Sequence, residues 1–268
     1  MRLLFSESKS DYGHYIFPYA IWAFPEAAET PGDLFHQGFL PSSRDMDRFY
    51  LCRQVRIALP KFRPTSENRR IMRKGEGLTA TLIPRHDFDY TPQRRTFCKT
   101  YADIKFGKDV MGWDRLDGLF EGKITSHVLV FADEKCGADV GLATLYVEDS
   151  AMAYYYHAFY DLGYYTRNLG MYMMTWAVES FAARGLDFLY LGSCYLPNAL
   201  YKVQFAGAEF FNGFRWSSDL KELKFLIRRE QQELRQHLLE SEEYRESFCD
   251  GDLAQLASGS PFRIKIKP

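Results

Sequence analysis

The sequence predicts an α/β (α+β) protein, a mixed sheet flanked by helices with a smaller N-terminal lobe. Three observations carry that expectation. Between residues 126 and 216 the apolar pattern reads as three strands, a helix, a strand, a short helix and a strand. The helix opens on Arg167-Asn168-Leu169-Gly170, and an Arg-x-x-Gly turn after a strand sets free N–H groups, a positive dipole end and a guanidinium side by side. Tyr190-Leu191-Gly192 ends the next strand, which in an open α/β sheet lies alongside that turn. The pair points to acyl-type transfer from a phosphate-bearing carrier.

The N-terminal part is read in order. Residues 12–40 are aromatic and turn-rich, and Pro18, Pro25 and Pro31 argue against one continuous helix. Leu51, Val55, Ile57 and Leu59 alternate as a half-buried strand, with Arg53 an exception on the same parity. From Arg53 to Lys74 there are eight Lys/Arg and one Glu, concentrated in Arg63, Arg69, Arg70, Arg73 and Lys74. Leu78 to Ile83 reads as a strand. Thr91-Pro92 starts a helix that Gly107 stops.

The second half is more regular. Ser126–Asp133 and Ala138–Glu148 read as a hairpin, and Met152–Tyr160 as a tyrosine-rich third strand. Leu169, Tyr172, Met173, Trp176, Ala177 and Ser180 mark one helical face that ends at Arg184-Gly185. Leu186–Leu191 is a strand, Asn198–Phe205 a short helix and Ala208–Trp216 a strand. Asp219 to about Phe248 is expected as one long charged helix, and Arg263–Lys267 as a closing edge strand. This order is that of the GNAT acetyltransferase fold. A boundary near 107–125 would separate an N-terminal lobe, 1–110, from a GNAT-like lobe, 111–268.

Composition narrows the function classes. The chain is 268 residues long and 46% apolar, which excludes global disorder; 16% aromatic content leads us to expect rings lining clefts. A formal net charge of −1 means that polyanion affinity must come from local patches. No run approaches the about eighteen apolar residues of a membrane span, and Met1–Glu7 is too short for a secretory signal. Cys52, Cys98, Cys136, Cys194 and Cys249 are odd in number and lack a Cys-x-x-Cys pair. That argues against a disulfide framework and a four-cysteine metal site. The expectation is a reduced, soluble, cytoplasmic protein.

An acetyl-CoA enzyme of this fold would carry Arg/Gln-x-x-Gly-x-Gly/Ala at the turn, where glycines let a pyrophosphate approach. Gly170 keeps the first glycine, but Tyr172 holds the place of the second. Its ring is expected to obstruct a pyrophosphate, though Tyr172 also fits the buried face of the helix. A plain alternative is an arginine capping a strand end.

These residues resemble the arginyl-tRNA and leucyl-tRNA–protein transferases, which add an amino acid to protein N-termini. The family's C-terminal pattern runs Tyr-x-Phe-Tyr-Asp-Pro, Arg-Ser-Leu-Gly, a helix, Tyr-Leu-Gly-Tyr-Trp-Ile and Met-x-Tyr-Lys-x-x-Phe. Here stand His157-Ala158-Phe159-Tyr160-Asp161, Arg167-Asn168-Leu169-Gly170, Tyr190-Leu191-Gly192 and Leu200-Tyr201-Lys202-Val203-Gln204-Phe205. Glu209 matches a Glu that follows. The N-terminal half is similar more loosely, through Gly38-Phe39, Tyr50 to Ile57, Phe62 and Arg69-Arg70. Several family residues are replaced: only Cys52 of the cysteine cluster matches, Phe17 stands before Pro18-Tyr19, and Leu40-Pro41 replaces an arginine pair. Lys105-Phe106 replaces an Arg-His pair, and Ser193-Cys194 replaces Tyr-Trp.

The resemblance implies transfer of an amino acid from charged tRNA to a protein or peptide amine; because only Cys52 of the family's cysteine cluster is kept, no metal is expected, and no cofactor beyond the charged tRNA. Neither membrane nor DNA is expected as a partner, and the expected state is a monomer. Tyr201, Lys202 and Glu209 are the candidate catalytic residues. Arg167, Asn168, Gly170, Tyr160 and Gly192 would hold the aminoacyl-tRNA 3′ end. Arg56, Arg63, Arg69, Arg70, Arg73 and Lys74 would track the tRNA backbone. Backbone N–H groups in the strand before Tyr160 would face the developing oxyanion. Each role has a plainer rival: a packed tyrosine, a solvated lysine, an exposed glutamate, a solvated basic face. His127, His157 and the Tyr154–Tyr156 run read as sheet residues. An acetyl-CoA-dependent N-acetyltransferase and a non-catalytic tRNA- or peptide-binding relative remain the alternatives.

Overall fold

The computed structural model describes residues 1–260, except the side chains of Tyr165, Arg167, Gln255, Leu256 and Ser258. The edge strand expected at Arg263–Lys267 lies outside the described residues.

The first 51 residues form a small antiparallel sheet. β1 (Arg2–Glu7) and β2 (Tyr19–Phe24) are followed by α1 (Pro31–His36), β3 (Phe39–Pro41) and β4 (Phe49–Leu51), in the order β1-β2-β4-β3. Pro31 does not interrupt a helix; it opens one, capped by Thr30, whose side chain accepts from the Asp33 N–H.

A larger sheet takes up most of the rest. Its elements are β5 (Gln54–Ala58), α2 (Ser66–Lys74), β6 (Leu78–Pro84), α3 (Pro92–Phe106), α4 (Trp113–Glu121) and β7 (His127–Asp133). They continue through β8 (Asp139–Glu148), β9 (Met152–Tyr160), α5 (Leu169–Ala183), β10 (Phe188–Ser193), β11 (Ala208–Phe211) and β12 (Trp216–Ser217). The strand order is β12-β11-β5-β10-β9-β8-β7-β6. Strand β8 runs antiparallel to both β7 and β9, and β10 returns parallel to β9 after α5, the order expected of a GNAT-like sheet.

Two expectations change here. The sheet crosses the expected boundary at 107–125, because β5 and β6 pair with strands from the second half. The strand expected as half-buried over Leu51–Leu59 begins at Gln54 and is buried throughout, because both of its faces are covered. Val55 and Ile57 pack into the helix-side core, while Gln54 bonds to the Phe35 and Phe39 carbonyls and Arg56 lies against the Phe188 and Trp216 rings. Period-two alternation marks a strand with one solvent-exposed face, and this strand has none.

Helices cover the two faces with different partners. Leu129, Phe131 and Leu145 face α5 and α2, while Val128, Val130 and Leu142 face α3 and α4, as alternation along a strand requires. Local chemistry sets the bounds of α3: the Thr91 side chain accepts from the Arg94 N–H, and Gly107 adopts φ 104° at the other end.

The single helix expected over 219–248 is not formed. Helix α6 (Leu220–Glu230) stops where the apolar stripe does, because 231–236 carries only Leu234 among polar residues. The chain then turns through Leu238–Glu240, and α7 (Glu242–Phe248) folds back before α8 (Leu253–Gly259). What holds the return is the buried Glu222 carboxylate. It accepts from the Tyr244 hydroxyl at 2.6 Å, the Asn212 amide at 2.7 Å and the Ser217 hydroxyl at 2.6 Å. Tyr244→Phe should therefore destabilise the fold by about 1.5–3 kcal/mol, the range for a hydrogen bond to a buried charge. Urea unfolding should show a lower midpoint at unchanged slope; an unchanged midpoint would mean that packing alone holds α7.

Candidate active site

The site begins where two strands part. β9 and β10 pair only through Met152–Tyr154 and Phe188–Tyr190. Next to this point the register of β10 against β5 shifts between Tyr190 and Gly192, and Gly192 takes φ 79°. Beyond it, residues 155–160 of β9 have no strand partner on the β10 side among the described residues. That edge of β9 borders a cleft of about 550 Å³.

A second irregularity decides what the cleft displays. The β8–β9 register shifts so that Thr144 faces His157 and Leu145 faces Tyr155, leaving Tyr156 as an extra residue. Consecutive residues Tyr155, Tyr156 and His157 consequently all line the cleft, which strict alternation would forbid. Sequence reasoning placed them in sheet packing because a bulge leaves no trace in periodicity. The Tyr155 hydroxyl and His157 Nδ1 are buried without hydrogen-bond partners. Burial, with Arg115 nearby, pushes the His157 imidazole down to about 4. α3 adds Tyr101 and Phe106, which sequence reasoning missed. Only Phe106, standing where the family has a histidine, offered a signal.

Of the residues expected at the tRNA 3′ end, Tyr160, Asn168 and Gly170 line this cleft, and Gly192 borders it. The Arg167 side chain lies outside the described residues. Asn168 is left-handed at φ 53° and makes no side-chain cap to α5, so the first N–H groups of that helix lack a capping side chain. Gly170 has a different partner from the one expected. A Cβ there would lie 2.9 Å from the Tyr160 ring, so the glycine makes room for that ring. Tyr172, expected to crowd a pyrophosphate, is buried instead. Its ring packs 5.7 Å from Phe131 and so close to Gly75 that a Cβ there would sit 1.9 Å from it.

Tyr201 and Lys202 come from the turn Pro197–Val203 and enter the same cleft. Tyr201 is 39% exposed at the rim, and burial, followed by the neighbouring Tyr160, raises its hydroxyl above the usual tyrosine value. Lys202 Nζ donates to the Ser193 carbonyl at 2.8 Å. A side chain on Gly192 would point at it, the first carbon 3.7 Å from Nζ. Burial lowers the Lys202 ammonium below the lysine value, against the upward pull of Cys194 and Cys52.

Glu209 is not part of this assembly. β11 sets it directly opposite Arg56 of β5, and its carboxylate takes Arg56 Nη2 at 2.8 Å and Lys61 Nζ at 2.9 Å. Arg56 is correspondingly not a surface phosphate contact. It is buried, 3.8 Å from the Trp216 ring centre and 4.1 Å from that of Phe188.

The other basic residues gather on α2 and the segment before it. Arg63, Arg69, Arg70 and Arg73 are exposed, with Arg70 paired to Glu67 and Arg69 bonded to the Pro64 carbonyl. Lys74 Nζ donates to the Thr166 carbonyl at 3.1 Å. This bond ties the end of α2 to the turn that leads into Asn168, so the basic helix adjoins the cleft.

No family model matches the chain. Curated relatives do. An aspartate/glutamate leucyltransferase of Alkalilimnicola ehrlichii is 28% identical over 211 residues, covering 72% of this chain and 84% of the relative. The chain is similar to the aspartate/glutamate leucyltransferases. Those of Ruegeria pomeroyi and Paramagnetospirillum magneticum are 29% and 31% identical, over 62% and 53% of this chain. The matches span 62% and 57% of those two leucyltransferases' own lengths. Among solved structures, the C-terminal domain of a putative lysylphosphatidylglycerol synthetase from Agrobacterium fabrum aligns at TM-score 0.40 and 12% identity over 53% of this chain and 46% of that one. A likeness so slight says nothing of activity. Of the residues that carry the resemblance to the leucyltransferases, His157, Tyr160, Asn168, Gly170, Tyr201 and Lys202 converge on the cleft; Arg56 and Glu209 converge on each other.

Glu209→Ala should accordingly lower stability by about 3–5 kcal/mol, the range for stranding a buried charge. Burial acts upward on the Glu209 carboxyl, but the hydrogen bonds and charges of Lys61 and Arg56 outweigh it and hold the group below its ordinary 4.5. A depressed carboxylate contributes stability above its unfolded value and loses it as pH falls through the folded one. The gap between wild type and variant should be full above pH 4.5 and shrink below it. A variant that melts normally but has lost catalysis would return Glu209 to the chemistry.

Proposed function

We propose that this chain moves an aminoacyl group from charged tRNA to the amino group of a protein or peptide. By analogy with the relatives' name, the group is leucyl and the acceptor begins with Asp or Glu. The observation that carries the reading is the cleft itself. It joins Tyr201, Lys202, an α5 start without a side-chain cap and the free edge of β9, with a basic helix tethered beside them.

An ester on tRNA is already activated, so the protein must chiefly position the amine and stabilise the oxyanion. The acceptor nitrogen bonds to the carbonyl carbon, the carbon–oxygen bond to the ribose breaks, and a proton passes from nitrogen to the ribose oxygen. Burial keeps the Tyr201 phenol protonated, so it can donate a hydrogen bond to that leaving oxygen. The β9 edge over 155–160 offers backbone donors to the carbonyl oxygen. Phe106, Met171, Met174 and Leu191 give the cleft an apolar side suited to a leucyl side chain. The exposed arginines of α2 suit tRNA phosphates. No cofactor is needed.

Tyr201→Phe should lower leucyl transfer about tenfold, near 1.4 kcal/mol, with the melting temperature unchanged. Full activity with earlier melting would make the hydroxyl structural. In single-turnover assays the ammonium of Lys202 should be lost below pH 10.5, its ordinary value, giving a falling alkaline limb. Lys202→Arg, which keeps its charge, should remove that limb; a limb that persists belongs to another group.

Arg69, Arg70 and Arg73 changed together to Ala should weaken tRNA binding and reduce the salt slope by about 2–3, one unit or slightly less per lost phosphate contact. An unchanged slope would make α2 a solvated face. Leucyl-tRNA that binds but yields no transfer to any peptide beginning with Asp or Glu would overturn the proposed reaction.

A further inference from the structure

Helix α3 carries a second stripe beside its buried one. Phe97, Thr100 and Ile104 recur at helical spacing; Phe97 is half-buried against the core, and Ile104 is 64% exposed. With Leu162 they line an open groove of about 720 Å³. Tyr101 and Tyr160 form a wall common to this groove and the reaction cleft, their rings 4.7 Å apart.

The placement separates two approaches. α2 and the start of α5, where the tRNA determinants gather, lie on one face of the sheet. The groove lies with α3 on the other face. Each side reaches the cleft at Tyr160, which touches Gly170 from one direction and Tyr101 from the other.

We propose that the groove holds the acceptor polypeptide in extended form behind its N-terminal residue, favouring apolar side chains; this rests on the transferase reading above. Length supports the fit. Gln93 to Ile104 spans about 16 Å of helix, and an extended chain advances about 3.3 Å per residue, so about five residues can lie along it. Chemistry supports the apolar preference. Of the two carboxylates at the border, Asp139 is paired with Arg94 at 2.7 Å, and Asp161, exposed at one end, accepts from the Gly163 N–H at 2.7 Å. Beside them Phe97, Ile104 and Leu162 give the groove its apolar surface.

The test uses six-residue peptides that begin with Asp, carry Leu at the third and fifth positions and bear a fluorophore at the C-terminus. Anisotropy titrations of the full chain should show binding that weakens about tenfold in Ile104→Glu and in Thr100→Arg, and likewise when both leucines of the peptide are replaced by serine. In transfer assays the same variants should raise KM for the six-residue acceptor about tenfold while holding kcat. Equal binding by wild type and both variants, or no binding to wild type at millimolar peptide, overturns the groove. Binding lost in the variants without transfer by any form keeps the groove as a peptide site and removes the transferase reading.

Discussion

The parting of β9 from β10 is the constraint on which the site depends. Parallel neighbours normally share evenly spaced hydrogen bonds along their whole length, yet these two share a ladder over three residues of each strand. The break is built into β10, where Leu191 is the extra residue against β5 and Gly192 adopts a left-handed φ of 79°. A residue with a side chain would be strained there and would also point toward Lys202 and the Tyr154 hydroxyl. Once the strands part, backbone groups along β9 need partners from water or a ligand. The turn carrying Tyr201 and Lys202 follows directly from the end of β10, which places both side chains beside that open edge.

The same sheet shows why a run of basic residues need not act as one surface. Arg56 sits in the central strand, where every residue is buried, and a guanidinium buried there without a partner would cost stability. Glu209 supplies it from the adjacent strand, and Phe188 and Trp216 cover the guanidinium faces. Arg69, Arg70 and Arg73 lie on a helix with one face in the core and the other in solvent. Along the chain these arginines differ little. Their roles separate only when long-range strand pairing buries one and leaves the others out.

Much of the architecture was legible because its determinants are local. Thr91-Pro92 and Gly107 bound α3 by capping chemistry, and the tyrosine-rich run Met152–Tyr160 gave β9 its full extent. The turn Asn168–Gly170 and the pair Tyr201–Lys202 were found from motif spacing, and they do meet. The misreadings share one cause, dependence on distant partners. Glu209 read as reactive because Arg56 lies 153 positions away. The 219–248 segment read as one helix because nothing local shows that Tyr244 returns to Glu222. Tyr155 and His157 read as packing because the bulge at Tyr156 is a property of strand pairing.

The lining of the cleft bears on how an acceptor amine could lose its proton in the proposed reaction. Phenols, one imidazole and one ammonium are present, and no carboxylate is among the described residues that line it. His157, pushed down to about 4, is neutral at neutral pH and only weakly basic. A positive charge beside an amine, however, favours the amine's neutral form, because two like charges in a partly desolvated site repel. Lys202 brings that charge to the cleft, and its bond to the Ser193 carbonyl fixes where it sits. Its own lowered value reflects the same cost of charge in this place. An incoming ammonium would meet that cost and the field of Lys202 together, so both favour the free amine that attack on an ester requires. In such a site the ammonium sheds its proton to solvent before attack. The proton that the nitrogen releases once bonded to the carbonyl carbon is the one that passes to the departing ribose oxygen, to which a phenol donates a hydrogen bond.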